Sequence, residues 1–221
     1  MNMKNLKKIS IFLPVLIMAF MVFAIPGLAE SGEEISRDEL SSQEFWELHR
    51  EEAQEAIAEN GSLKDNYRLA VSQANLGYVR ETMEMIDEFA DDFDVDKLEE
   101  EIDKELHLAR MGSENILYMN YAAFYYSIIR EPEEAAGYFA RIIERDEGNV
   151  WPYNYKATLY IEELEDMDRA HEILKQALEI EDNDYTHLLR AYAYYESGSY
   201  IRALNSLRRG RAAMDDLEDI M

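Results

Sequence analysis

Four histidines, His49, His107, His171 and His187, are the first residues to weigh for chemistry, and no two of them stand three or four apart on one helix face. A zinc site of the H-E-x-x-H kind is therefore excluded, and each imidazole reads as a surface or helix-packing group. The chain has no cysteine, so thiolate nucleophiles, thiolate metal sites and disulfides are all ruled out. The one stretch shaped like a cation loop is Asp92-Phe93-Asp94-Val95-Asp96, with Asp103 at the twelfth place. A calcium loop needs glycine at its sixth place to turn sharply, whereas Lys97 stands there and would repel the ion. Aspartates in this position read instead as helix N-caps. No G-x-S-x-G, phosphate-binding loop or G-x-G-x-x-G occurs, and no acid–base or nucleophile–base pair can be placed together. The expectation is a chain that is not an enzyme, with no cofactor and no metal.

Charge narrows the partners. The formal net charge is −25 over 221 residues, with no basic stripe. Nucleic acid is excluded as a partner, because neutralising phosphates needs clustered cations. Such acidity either keeps an outer surface well solvated or attracts a basic partner.

The elements that carry these residues are helical. Four prolines, nine glycines and no alternating β-branched run point to an all-α fold, and 48% apolar content over this length is enough for one sizeable core. Between about Ile116 and Met214 the sequence repeats with a step of 34. Ala123, Ala157 and Ala191 form one column, and Tyr126, Tyr160 and Tyr194 form another in phase with it. A second helical segment in each copy pairs a small residue with a bulky one: Ala135 with Phe139, Ala170 with Leu174, Ala203 with Leu207. The steps there are 35 and 33, so the turn between the two helices must vary by one residue. A helix pair of this size cannot bury its apolar side alone and stacks on copies of itself. The alanine marks a close helix contact, and the tyrosine is expected to fill the space beside it.

Small and aromatic residues in this order, with a turn such as Glu196-Ser197-Gly198-Ser199-Tyr200 ahead of Ala203, resemble the tetratricopeptide repeat family. The resemblance covers 116–214 and is weaker upstream. It implies a right-handed solenoid of antiparallel helix pairs. Ala122, Lys156 and Arg190 stand where the family has leucine, and the two long cations are expected to snorkel outward. Arg130 and Glu165 occupy the turns where the third copy has Gly198.

In chain order, Lys4, Lys7 and Lys8 precede an apolar run from Ile9 to Ile25 and then Pro26-Gly27-Leu28-Ala29, the pattern of an export signal cut after Ala29. The alternative is that residues 1–29 stay as a membrane anchor, although 17 apolar residues lie at the short limit of a span. Residues 30–40 read as a flexible tether, and 41–221 as a single helical-repeat domain. Within it, Ser41 with Glu44 and Ser62 with Asp65 are spaced as capping boxes. Residues 62–90 form a degenerate repeat, with Ala70 in the small column, Gly77 in the turn and Thr82 replacing the second-helix alanine. Ala70 lies 53 residues before Ala123, so an extra helix at about 96–111, opened by Asp96 and Glu99, takes up the difference. Regular repeats follow at 116–148, 150–182 and 184–217, and Asp215 to Met221 reads as an acidic helical tail.

The family binds peptides along the concave side formed by the first helix of each pair. Matching positions here are Leu117, Asn120, Phe124, Ser127 and Ile128, then Trp151, Asn154, Thr158, Ile161 and Glu162, then Tyr185, Leu188, Tyr192, Tyr195 and Glu196. The expected partner-binding set is Asn120, Phe124, Trp151, Asn154, Thr158, Tyr185, Leu188, Tyr192 and Tyr195. These aromatics either line a groove or wedge against the preceding pair, and both readings stay open. Together with the export signal, the resemblance points to an exported, non-catalytic scaffold gripping a peptide segment of an envelope or secreted protein, with Glu162 and Glu196 favouring a basic one. The alternative is a membrane-tethered, self-associating assembly subunit in which Ile9 to Ile25 remains as the anchor; the membrane is a partner only if this N-terminal segment is uncleaved.

Overall fold

The computed structural model describes residues 40–89 and 94–218; the expected leader and tether at 1–39 lie outside the described residues. The described residues are all-helical, with eleven helices and no strand. In order these are α1 (Ser42–Asn60), α2 (Leu63–Leu76), α3 (Val79–Phe89), α4 (Val95–Arg110), α5 (Ile116–Ile128), α6 (Pro132–Arg145), α7 (Val150–Glu162), α8 (Met167–Ile180), α9 (Asp184–Glu196), α10 (Tyr200–Arg209) and α11 (Arg211–Glu218). Successive helices pack against each other in adjacent pairs. Among the described residues none of these helices is long and apolar enough to cross a membrane.

The helices gather into two compact units parted inside α5, between Ala122 and Ala123. In the first, α1 opens on a complete capping box, with Ser41 and Glu44 bonded reciprocally to each other's backbone N–H. Ser62 and Asp65 do the same for α2. Two orphan donors are satisfied at each start, and a cap of this kind contributes about 1 kcal/mol. The opener of α4 differs from expectation: Asp94, not Asp96, accepts from the Lys97 N–H at 3.1 Å. Asp94 is the residue that leaves the extended conformation for the helix, so its carboxylate is the one that can reach back. Phe45, Trp46, Tyr67, Leu98, Ile102 and Leu106 fill the core of this unit. Tyr67 donates to the Tyr121 carbonyl at 2.7 Å, and Asn75 Nδ2 donates to Asn120 Oδ1 at 2.9 Å, so buried polar groups join α2 to the first turns of α5.

In the second unit the repeat columns become contacts. Ala123, Ala157, Ala191, Ala135 and Ala170 are fully buried, and Phe139 and Leu174 pack beside their alanines at 1% and 0% exposure. The turn residues share one conformation: Arg130, Glu165 and Gly198 have φ of 60°, 51° and 70°, as Gly77 has 80° in the first unit. The linkers run 129–131, 163–166 and 197–199, which is the expected one-residue variation. The third pair departs from its expected extent, because α10 stops at Arg209 and α11 begins after Gly210. A Cβ on Gly210 would lie 2.7 Å from both the Asp184 carbonyl oxygen and the Leu188 backbone nitrogen, so the chain touches α9 backbone to backbone there. The tyrosine column also differs, since Tyr126, Tyr160 and Tyr194 are only half-buried and lie against side chains of the following helix, Tyr138, Arg169 and Arg202.

Candidate functional site

The aromatic site is built outward from the start of α7. Asn149 caps this helix, its Oδ1 accepting from the Trp151 N–H at 3.0 Å, and Pro152 follows where no N–H is needed. Trp151 and Tyr155 then project from one face, four residues apart, with ring centroids 6.4 Å apart. The Trp151 ring lies 5.6 Å from Tyr185 on α9, and the Tyr155 ring lies 5.1 Å from Phe124 at an edge-on 68°. Phe139 closes the end, 5.4 Å from Phe124 and 5.9 Å from Tyr155. The Tyr185 hydroxyl donates to the Asp216 carboxylate on α11. Burial pushes the Tyr155 phenol far above its ordinary range, so it stays a neutral hydroxyl at any physiological pH.

Of the expected residues, Phe124, Trp151 and Tyr185 belong to this chain of rings, and each keeps part of its surface open. Asn154, Thr158, Leu188 and Tyr192 are buried instead, at 2%, 4%, 3% and 7% exposure. Asn154 Oδ1 accepts from the Thr186 hydroxyl at 2.9 Å, tying α7 to α9, and its Nδ2 is buried without a hydrogen-bond partner. Thr158 donates to the Asn154 carbonyl at 3.0 Å. Tyr195 stands apart, half-buried, edge-on to Tyr200 at 5.8 Å. Asn120 is fully buried in the other unit, donating to the Ile116 carbonyl at 3.0 Å and accepting from Asn75.

Two parts of the arrangement escape the sequence reading. Tyr155 and Phe139 are the rings that make the set continuous, and the signal for Tyr155 is its place four residues beyond Trp151. The other is a cap column: Asn115, Asn149 and Asn183, in step with the expected cap Ser62, each stand eight residues before the column alanine, and all four accept from the first turn of α5, α7, α9 and α2 respectively.

A second cluster surrounds Tyr194. The His171 ring lies 4.4 Å from the tyrosine, and the guanidinium carbons of Arg190 and Arg202 lie 5.4 and 5.8 Å from it. Arg190 also donates to the Tyr194 hydroxyl at 3.1 Å, which answers where this long cation goes: along the tyrosine and out. Lys156 sits half-buried, and burial lowers its pKa, with Glu144 opposing the shift. His171 is held below its ordinary pKa by burial first and then by Arg190, with Asp168 opposing and Arg202 adding to the shift.

Chemically, the aromatic chain offers flat, low-entropy contact surface beside amide and carboxylate groups. Among the described residues no three His, Asp or Glu side chains stand close enough to hold a metal ion. Compared with known proteins, the chain matches no family model, no curated protein and no solved structure.

Proposed function

We propose that this chain is a tetratricopeptide-like solenoid acting as a non-catalytic protein-binding module, exported from the cytoplasm and gripping an extended segment of another protein. The observation that carries the reading is the half-buried ring series Phe124, Tyr155, Trp151 and Tyr185, held across α5, α7 and α9 with its outer surface open. Rigid aromatics give contact area at little entropic cost, which is why they dominate binding surfaces. The net charge of −25 selects a segment rich in Lys and Arg. In this reading Asn154, Thr158, Leu188 and Tyr192 are buried side chains of the helices α7 and α9 that carry the rings, while Asn120 and Tyr195 take no part in the surface.

Trp151→Ala with Tyr185→Ala tests it. Capture of partners from an envelope extract, and binding of a Lys/Arg-rich peptide, should fall at least tenfold, the loss of one hot-spot ring. An unchanged captured set, with helical circular dichroism kept, refutes the proposal. Export is tested separately by the mass of the native N-terminus, which should start at Glu30. A chain retaining residues 1–29 supports the tethered alternative.

A further inference from the structure

The outer face of α10 is unlike the rest of the surface. Tyr200, Ile201 and Leu204 are 62%, 81% and 52% exposed, three of the five large apolar side chains left open among the described residues. The stretch 199–214 carries Arg202, Arg208, Arg209 and Arg211 and no acid, so the expectation of a chain with no basic stripe fails locally here, within a net charge of −25. All four arginines are exposed. Helical spacing puts Ile201, Leu204 and Arg208 on one ridge, flanked by Arg209. An apolar ridge rimmed by cations fits an acidic surface, and the acidic surface always present beside this chain is another copy of itself.

A matching ridge exists on α1. Glu51, Glu55 and Glu59 recur every four residues, all exposed, and make no ion pair among the described residues. Like charges at this spacing oppose the helix they sit on, so a covering cation stabilises it. Gln54 and Ala58 lie exposed alongside, and a small methyl beside glutamate stems can receive an apolar side chain. Glu51 to Glu59 rises about 12 Å and Ile201 to Arg208 about 10 Å, so the two ridges are of similar length.

We infer that the α10 face of one copy docks on the α1 carboxylate ridge of a second copy, with Ile201 and Leu204 against Ala58 and Arg208 and Arg209 over the glutamates. The contact is heterologous, because the two surfaces differ. Each copy keeps one free surface of each kind, and the contact propagates into open chains unless geometry closes a ring. It uses none of the rings assigned to partner binding above.

The absence of cysteine makes the test clean. Full-length chains carrying either Leu204→Cys or Glu55→Cys are mixed and oxidised. The 204–55 disulfide should dominate over 204–204 and 55–55, and drop about tenfold when Ile201→Asp or Arg208→Glu is added. A chain bearing both substitutions should give a ladder of multimers. Charge reversal at Glu51 and Glu59 to Lys should abolish capture, and pairing it with Arg208→Glu and Arg209→Glu should restore it, which separates lost contact from lost fold. Equal yields of all three disulfides, dominance of 204–204, or no disulfide overturns the inference. So does a dye attached to the Leu204→Cys thiol that responds to anionic vesicles while 204–55 capture fails, since the face then serves a lipid surface.

Discussion

A side chain with a Cβ forced to positive φ costs about 1–2 kcal/mol, because Cβ meets the following carbonyl. Arg130 and Glu165 hold that conformation at the turns of the first and second regular pairs, where the third uses Gly198. Glycine in these turns would relieve the clash while adding about 0.5–1 kcal/mol of chain entropy to the unfolded state. Glu165→Gly should therefore raise stability by about 0.5 kcal/mol in urea unfolding, and Gly198→Ala should lower it by about 1 kcal/mol. Since a Cβ at Gly198 meets nothing within 4 Å, a loss there is backbone strain and not crowding. His171 gives the other residue-scale prediction. Its folded pKa lies below 6.5, through burial and then Arg190, and its Nδ1 is buried with no hydrogen-bond partner. The unfolded chain takes up that proton first, so stability is full above pH 6.5 and falls as the pH drops through the folded pKa. His171→Gln should flatten the difference in melting temperature between about pH 7.5 and about pH 5. Asp182, lowered mainly by its hydrogen bond to His187, and Glu44, lowered by Ser41, lose their contributions only in the more acid carboxylate range. An unchanged slope in the variant would place the acid sensitivity elsewhere.

Helices are where the sequence speaks most clearly. The 34-residue columns predict which alanines are buried, where the turns fall and which linker is one residue longer, because helix contact at a small residue constrains composition directly. The break at Gly210 is hidden, since its cause is the backbone of α9 at Asp184 and Leu188, distant in sequence. Substitution there separates close approach from helix propensity. Gly210→Ala should destabilise by about 1–3 kcal/mol, as overpacking against an unyielding backbone does. Gly137→Ala, at an exposed position of α6 with nothing within 4 Å of the added Cβ, should stabilise by about 0.5–1 kcal/mol. Equal effects at the two sites would remove the packing role given to Gly210. The candidate binding surface is legible only in part. Column position marks Trp151 and Tyr185 but does not tell open rings from Tyr192, whose burial depends on what α9 meets in three dimensions. The half-buried tyrosine column departs from expectation for the same reason, as Arg169, Arg190 and Arg202 draw Tyr160 and Tyr194 to the surface.

For the whole molecule the decisive quantity is the net charge of −25, which opposes every compact state through mutual repulsion. Among the described residues, most ion pairs that offset it are short-range couples along one helix, such as Arg50 with Glu47, Lys97 with Glu101 and Lys175 with Glu179. Exposed pairs of this kind contribute about 0–1 kcal/mol each, and salt weakens them. Lys64 with Glu105, at 2.9 Å and with the carboxylate only 6% exposed, is better shielded and should survive screening. Repulsion, by contrast, sums over many separations, and the screening length shrinks from about 30 Å at 0.01 M salt to about 10 Å at 0.1 M. Added sodium chloride therefore removes more repulsion than attraction, and the melting temperature should rise by a few degrees over that range and then level off. A fall over the same range, read by thermal circular dichroism, would mean that the surface ion pairs outweigh the net charge. In that case the acidity is held in local networks, and an open field able to draw in a basic segment is no longer available to the proposed binding surface.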